Sequence, residues 1–592
     1  MSFSNDSSMA TPKMAEEAEK QVEYANDEVT VTAAAEEEEH FKMTPAKLLA
    51  MASFQLGYMS DVFVVSMVAS TLTAINDDIG PDSSYTWMVT ALVLGGAVFS
   101  PAIGRVSDIF GRRNFLLIGN VIAAVGCAVA ATAHSVKTVI GASCLIGIAS
   151  SMHQLAWSCL GELVPKRSRG FALGIFQLSL LPAAGFSPII GNAMVKHASW
   201  RYVYWLPFAM DCLCLVLVFF FYHPINQYIK EENKTRLQQA MSLDWVGFFL
   251  LLSGLVLFLL GISFGGNVFP WKSVKTLAPI LVGFALLVAL GLWEAYMDLE
   301  YPLFPRKVLR NVRGVTMVAV GVFLLGMLYY STSVLWPQQV TSLYTQDPLK
   351  IGWYASTVGL TGSVFGPVAG YLFRKFRHAR LMLTFYVLAL TVVSGAQSIV
   401  SPTSNVGSTV LTVLVGGFVS AATIVSTAMI QLGVPHEYIG IATGLAITMR
   451  SIGGSVGTTI YSSVLTSKLK HYLFQYAATP LAKAGVDPQT IPALLAALLG
   501  GSVTDSVVTS QSPEVLGIAA NGIKQAYAHS FRIVYLITIA FGVLGTICVA
   551  FSSDVDHLMT GGIDIKLDEG AKLRANDDTG GGHIHRQGEE DE

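Results

Sequence analysis

Long apolar stretches alternate with short polar or charged clusters along most of this chain. A bilayer core about 30 Å thick is crossed by a helix of about 20 apolar residues. Windows of that length recur from about Leu48 to Phe551. We therefore predict an all-α membrane protein with about fourteen spans, at residues 48–72, 87–104, 115–133, 138–160, 170–194, 203–222, 244–264, 276–297, 314–336, 352–373, 381–400, 408–430, 439–466 and 533–552.

The composition agrees with this pattern. Of the 592 residues, 52% are hydrophobic and 13% are charged, and the mean hydropathy of +0.54 is too high for a water-soluble globular protein. The formal net charge of -3 gives no reason to expect a nucleic-acid partner. All six cysteines fall in apolar stretches without metal-ligand spacing to histidine, so we expect neither disulfides nor a metal site.

Polar, acidic segments flank the apolar region at both ends. Residues 1–43 and 556–592 have the composition of disordered tails. An even number of spans places both tails on one side, and basic residues concentrate in alternate connections, such as those holding Arg112 and Arg374. By the positive-inside rule both tails face the cytosol, and the lipid bilayer of a cell membrane surrounds the chain.

The connection after the second span contains a motif of glycines, an aspartate and arginines, and each residue type suggests a physical role. Its glycine allows close helix approach, its aspartate can cap or pair at a helix end, and its arginines can hold one face of the bundle together. A latch of this kind must break when a transporter opens on that side. The motif resembles the signature of the major facilitator superfamily and consists of Gly104, Asp108, Gly111, Arg112 and Arg113.

The fifth span is rich in small residues and contains a proline. Small residues permit tight helix packing, and proline bends the helix. The pattern is similar to that of drug:proton antiporters of the same superfamily, and its residues are Gly174, Gly185, Pro188 and Gly191. Two positions depart from the family pattern. Ser187 stands in place of a glycine, and Ser143, in the fourth span, stands in place of the usual intramembrane arginine.

Four further segments resemble the fungal trichothecene efflux pump family. They read Ser-Trp-Arg-Tyr at 199–202, Leu-Asp-Trp-Val-Gly at 243–247, Gly-Ile-Ser-Phe-Gly-Gly at 261–266 and Leu-Trp-Pro-Gln-Gln-Val at 335–340. The resemblance implies a 6+2+6 arrangement in two pseudo-symmetric halves, and export of toxins or xenobiotics, with fungal siderophore transporters as relatives. The implied units are an N-terminal half at 44–225, a linker and extra helix pair at 226–300, and a C-terminal half at 301–555.

One connection in the C-terminal half is long. Residues 467–532 would form an extracytoplasmic loop, and its apolar run, Pro492–Leu499, favours an amphipathic lid or surface helix.

Ionisable residues inside spans are costly in lipid and are therefore functional candidates. Asp61 in the first span could bind and release a proton as the cavity alternates sides, or it could make a static hydrogen bond to a neighbouring helix. Arg450 in the thirteenth span requires an acidic or carbonyl partner. Asp211 in the sixth span is a second acidic candidate, without a motif around it.

Pockets for small amphipathic molecules are mostly apolar with a few convergent polar groups. His153 and Trp157 are four residues apart, which predicts a shared helix face. His153 can switch charge near neutral pH, but it could equally be a structural hydrogen-bonding residue. Trp336 and Gln338 could instead be interfacial anchors. The substrate-cavity candidates are His153, Gln154, Trp157, Gln177, Trp336, Gln338, Tyr354 and Gln431.

These observations favour a secondary active transporter, and three hypotheses describe its mode of action. The first is proton-coupled efflux of a toxin or other amphipathic small molecule by alternating access. The second is siderophore–iron uptake by proton symport, and the third is a non-transporting nutrient receptor. The sequence contains no phosphate-binding Gly-x-x-x-x-Gly-Lys-[Ser/Thr] loop and no convincing catalytic constellation. We expect a monomer that is not an enzyme and that needs no cofactor beyond the proton gradient.

Overall fold

The computed structural model describes residues 44–80, 82, 85, 87–223, 238, 241–265, 269–297, 299, 302–304, 311–435, 438–499 and 511–559. The tails predicted at 1–43 and 556–592 lie outside these residues, apart from 556–559.

Seventeen helices of the described chain are named below in chain order. The first ten are α1 (Pro45–Ile79), α2 (Trp87–Phe110), α3 (Arg112–Ala131), α4 (Val136–His153), α5 (Leu155–Leu163), α6 (Arg169–Ser179), α7 (Leu181–His197), α8 (Tyr202–Phe221), α9 (Trp245–Phe264) and α10 (Val274–Tyr296). The others are α11 (Met317–Leu343), α12 (Pro348–Phe376), α13 (Ala379–Ala396), α14 (Asn405–Leu432), α15 (Ile439–Leu473), α16 (Ile491–Leu499) and α17 (Pro513–Ala550). A short helical segment, Thr479–Lys483, follows α15.

The predicted all-helical membrane architecture is confirmed. Thirteen helical stretches of the described residues are long and apolar enough to cross a bilayer; α4 with α5, and α6 with α7, each form one of them. The remaining long helix, α12, has 29 residues and is less apolar because glycine, serine and threonine are frequent in it. Those small residues are explained by its position between the two halves of the bundle.

Several helices start where a side chain satisfies the free backbone N–H groups of the first turn. Ser135 accepts a hydrogen bond from the Thr138 N–H at the start of α4. Asp244 accepts one from the Gly247 N–H, at 2.7 Å, at the start of α9.

The connection predicted at 467–532 is largely helical in the described residues. Helix α15 continues to Leu473, and α17 begins at Pro513, well before the predicted span at 533. The intervening apolar residues pack together in a small core that includes Leu481, Leu494 and Ala519. The apolar run predicted as a surface helix lies in α16, whose apolar side contributes to this core.

The extra helix pair packs against the bundle through α9, which contacts α2 of the N-terminal half and α15 of the C-terminal half. Helices α9 and α10 lie against each other. Leu251, Leu255 and Leu259 of α9 form one apolar cluster with Ala97 and Val98 of α2. The pair therefore contacts one face of the bundle, and the two larger halves contact each other directly.

Close contacts between the halves depend on small residues in α6 and α12. A Cβ at Gly174 would lie 2.9 Å from the Cα of Pro367, closer than side chains tolerate. A Cβ at Gly370 would lie 2.9 Å from the Cα of Phe171. Helix α12 is therefore the partner against which the glycine-rich fifth span packs.

Candidate functional site

A central cavity lies between the two halves of the bundle and has a volume of about 250 Å³. Apolar side chains alternate with a few polar and charged ones around it. Its lining includes Tyr58, Asp61, Val65, Gly96, Ser150, Gln154, Trp157, Gln177, Tyr329, Gly362, Ser420, Thr423, Ile447, Arg450 and Ser451. Such a mixture suits an amphipathic solute.

Five of the sequence candidates converge on this cavity, namely Asp61, Arg450, Gln154, Trp157 and Gln177. They come from both halves, so the cavity depends on how the halves dock.

Gln154 stands at a break between two helices. Helix α4 ends at His153 and α5 begins at Leu155, which leaves Gln154 in a turn. Its Oε1 accepts a hydrogen bond from the Ser100 hydroxyl at 3.1 Å. Its Nε2 lies 3.4 Å from the Ser150 hydroxyl oxygen. These contacts orient the amide at the cavity wall.

Asp61 lines the cavity from α1 and is 8% exposed. Its Oδ1 is buried and has no hydrogen-bond partner among the described residues. A buried, unsatisfied carboxylate oxygen is costly in a low-dielectric environment. The geometry leaves that oxygen available to a proton, a water molecule or a solute.

Asp211 and His153 face each other away from the cavity lining. The distance from His153 Nε2 to Asp211 Oδ1 is 3.9 Å, and both side chains are almost completely buried. His153 and Trp157 lie on either side of a one-residue turn at Gln154, and only Trp157 is among the residues that line the central cavity. Trp157 lines the cavity, whereas His153 packs toward α8.

Trp336 and Tyr354 pack against each other, outside the central cavity lining. Trp336 is 1% exposed, and its Nε1 donates a hydrogen bond to the Tyr354 carbonyl at 2.8 Å. The Trp336 side chain is therefore packed inside the C-terminal half, apart from the residues that line the central cavity. Gln338 is exposed on the other side of α11, and the neighbouring Gln339 is fully buried.

Gln431 joins the two halves near one end of the cavity. Its Nε2 donates to the Trp157 carbonyl at 3.2 Å, and its own carbonyl accepts from Arg169 Nη1 at 3.4 Å. Both partners belong to the N-terminal half, whereas Gln431 belongs to α14. The residue therefore connects the halves rather than lining the cavity.

The signature motif after the second span lies at the same end of the bundle, which we call the latch end. Asp108 accepts hydrogen bonds from the backbone N–H groups of Gly440, at 3.1 Å, and Ile441, at 2.9 Å. Both residues lie in the first turn of α15, so the carboxylate of one half caps a helix of the other. A Cβ at Gly104 would lie 2.6 Å from the Gly440 carbonyl oxygen, which explains the glycine.

The basic residues of the motif hold the N-terminal half together around Asp108. Arg112 donates to Asp108 at 2.8 Å and forms an ion pair with Glu162. Arg113 donates to the Phe219 carbonyl at 2.8 Å. Gly111 has a φ of 90°, a conformation that side-chain-bearing residues rarely adopt, and it allows the turn between α2 and α3.

The glycines and proline of the fifth span lie on helices α6 and α7. A Cβ at Gly185 would lie 2.9 Å from the Leu360 Cγ, and one at Gly191 would lie 3.3 Å from the Met67 Cβ. Pro188 lies within α7. The Ser187 hydroxyl donates to the Ala183 carbonyl, so the serine fits where the antiporter pattern has glycine.

Sequence reasoning did not single out Glu162 or Gln339. Glu162 is 1% exposed, and it follows the predicted end of the fourth span at residue 160. The sequence offered one signal for Glu162, because it is an acidic residue at the end of an apolar stretch and an arginine-containing motif elsewhere in the same half needs an acidic partner. Gln339 Oε1 accepts from the Tyr535 hydroxyl at 2.6 Å, and its Nε2 donates to the Tyr344 hydroxyl at 3.1 Å.

Comparison with known proteins now identifies the family of the chain. The profile described as "Fungal trichothecene efflux pump (TRI12)" matches residues 16–587. The chain belongs to the fungal trichothecene efflux pump family.

Relatives with curated names agree with this membership. The chain is 25% identical over 535 residues to the trichothecene efflux pump TRI12 of Fusarium sporotrichioides, covering 89% of this chain and 90% of the relative. It is 29% identical over 515 residues to the MFS-type transporter prx5 of Penicillium rubens, covering 85% and 90%.

A solved structure supports the fold. The major facilitator proton:xylose symporter XylE, bound to 6-bromo-6-deoxy-D-glucose, has a TM-score of 0.52 and 13% identity, covering 84% of this chain and 94% of that one. The predicted major facilitator fold is confirmed. This trichothecene efflux pump family member is a multi-pass membrane transporter and not an enzyme.

Proposed function

We propose that this protein is a proton-coupled exporter of an amphipathic small molecule that works by alternating access. The observation that carries the proposal is Asp61, a carboxylate in the wall of a cavity between two helical halves, with one buried oxygen that has no partner among the described residues.

The charges around the cavity support coupling to protons. A carboxylate that is alternately exposed to two aqueous sides can take up a proton on one side and release it on the other. Arg450 lines the same cavity from the opposite half, and the buried pair of His153 and Asp211 lies elsewhere in the N-terminal half. After Asp61 releases its proton, the positive guanidinium of Arg450 attracts the negative carboxylate. The change in the charge of Asp61 then alters the binding of the solute.

The contacts at the latch end support alternating access. Asp108 caps α15 across the interface of the halves, and Gln431 bonds to Trp157 and Arg169. These bonds close one end of the cavity. Because these polar contacts join the two halves at the same end, rocking of the halves would break them together and open that end.

The cavity lining and the relatives support the substrate class. Tyr58, Trp157 and Tyr329 provide aromatic surface, and the amides of Gln154 and Gln177 provide polar contacts. Two relatives are named as trichothecene efflux pumps, from Fusarium sporotrichioides and Trichoderma arundinaceum. We infer export of a fungal toxin of similar chemistry, by a monomer in the plasma membrane with both tails in the cytosol.

The experiment is an accumulation assay in fungal cells that lack the protein. Cells with wild-type protein, with Asp61→Asn or with no protein are exposed to a panel of trichothecenes and other apolar metabolites, and retained compound is measured by mass spectrometry. We expect at least one compound to be retained about tenfold more without the protein and with Asp61→Asn. Equal retention of every compound in the three strains, with equal expression, contradicts the proposal, and lower retention without the protein indicates import.

A further inference from the structure

A second cavity opens at the latch end between α1, α5 and α6. We call it the lateral groove. Its volume is about 640 Å³, larger than that of the central cavity, and its lining includes Leu48, Ala52, Gln55, Ile175, Phe176 and Ser179. Most of this surface is apolar. Leu48 and Ile175 at its edge are 52% and 45% exposed, on a face that the bilayer covers.

Three aromatic rings separate the lateral groove from the central cavity. Tyr58 and Trp157 line the central cavity, and Phe176 lines the lateral groove. The ring centres of Trp157 and Phe176 are 5.2 Å apart, and Tyr58 lies 5.8 Å from each of them. The wall between the two cavities is therefore formed by Phe176 on one side, packed against the rings of Tyr58 and Trp157 on the other.

One polar side chain in the groove has unmet hydrogen-bonding capacity. Gln55 Nε2 and Oε1 are both buried, and neither has a partner in the part of the chain that the structure describes. An amide left unsatisfied in an apolar environment is unfavourable. Because both amide atoms are buried, the Gln55 side chain must rotate toward the groove before a hydroxyl or carbonyl group of a bound amphiphile can satisfy the amide.

We propose that the lateral groove is the entry site for the transported solute, which reaches it dissolved in the membrane leaflet at the latch end. Tyr58, Trp157 and Phe176 form the gate to the central cavity. The ligand class is an uncharged amphiphile, and Gln55 selects for its polar group. This inference rests on the proposed function, because it gives the route by which an amphipathic solute reaches the transport cavity.

The test is photolabelling of the full-length protein in phospholipid nanodiscs with a diazirine-bearing fifteen-carbon fatty alcohol. Mass spectrometry of peptides locates the label. We expect labelling of α1 and α6 at the groove, and a loss of at least about fivefold with Ala52→Trp or Ser179→Trp, which fill it. Ala285→Trp places the same side chain on the lipid-facing side of α10 and should leave groove labelling unchanged.

The gate is tested with the same probe. Phe176→Ala and the milder Phe176→Leu thin the shared wall, so label on central-cavity peptides should rise at least about fivefold, and Ala52→Trp should cancel that rise. Phe220→Ala, on the lipid-exposed side of α8, is the matched control. Two results overturn the proposal: groove labelling insensitive to Ala52→Trp, or groove labelling that never reaches the central cavity, as expected for a resident lipid. Either result leaves the toxin-retention assay, and thus the proposed function, standing.

Discussion

Removing the Asp108 carboxylate should open the latch end of the bundle. Asp108→Ala deletes two hydrogen bonds to the first N–H groups of α15, at 3.1 and 2.9 Å. The bond between Asp108 and Arg112 lies within one half, so it is lost from closed and open states alike. Hydrogen bonds to charged groups contribute about 1.5–3 kcal/mol each. Because water can reach the N–H groups in the variant, we take the lower value, about 3 kcal/mol in total.

A loss of about 3 kcal/mol changes the ratio of closed to open states by roughly 100-fold. A closed population of about 99% would thus fall to roughly one half. The assay is the distance distribution between spin labels introduced at Asn114 and Lys375, which are exposed at the latch end of the two halves. In detergent or nanodiscs, the variant should show a second, longer distance.

The matched control is Asp556→Ala. Asp556 also caps a helix, since its Oδ1 accepts from the Ala379 N–H at 3.1 Å at the start of α13. Both residues lie in the C-terminal part of the bundle, so the bond does not cross the interface and its loss should leave the distances unchanged. An unaltered distribution with Asp108→Ala, or equal changes with both variants, would refute the reasoning.

Three further changes test local contacts. Gly111→Ala should lower the free energy of unfolding by about 1–3 kcal/mol, because the φ of 90° strains any side chain; thermal unfolding in detergent measures this, and an unchanged midpoint contradicts it. The Trp200 hydrogen bond, the main cause, lowers the pKa of Asp78, so the carboxylate stabilises the fold above about pH 4 and that contribution disappears as the pH falls through the lowered pKa. Because Asp78 is exposed, the midpoint difference from Asp78→Asn should be about 1–2 °C at pH 6 and should shrink as the pH falls below about 4; a difference that grows on acidification opposes this. Gln339→Leu should cost about 1–3 kcal/mol by leaving the buried Tyr535 hydroxyl unpaired, and Tyr535→Phe in the same background should recover part of the loss.

The membrane fold could be predicted because bilayer thickness fixes the length of each apolar stretch. The latch motif could also be recognised, since its glycines and charges have a fixed spacing. The partner of Asp108 could not, because Gly440 is 332 positions away in the chain. That contact exists only after the two halves dock, and no local pattern encodes docking.

The candidate cavity residues show where sequence reasoning loses precision. Gln338 and Gln339 are adjacent, so on a helix their side chains point about 100° apart. Gln339 is buried and hydrogen-bonds to other described residues, whereas Gln338 is exposed. Helix α11 is apolar on most sides, so the sequence does not show which of its faces points into the bundle. His153 and Trp157 have the spacing of a shared face, but Trp157 lines the central cavity whereas His153 lies beside Asp211 of α8. Asp61 and Arg450 were found because charged groups in lipid are rare.

Concentrative transport in proteoliposomes tests the central claim, proton coupling through Asp61, most directly. The compound retained by cells lacking the protein is supplied to vesicles of wild-type protein or Asp61→Asn, with and without an imposed pH gradient. Wild-type protein should accumulate the compound several-fold above equilibrium only with the gradient, while Asp61→Asn should exchange labelled for unlabelled compound but never concentrate it. Accumulation by wild-type protein that ignores the gradient, or equal accumulation by Asp61→Asn, would contradict the account.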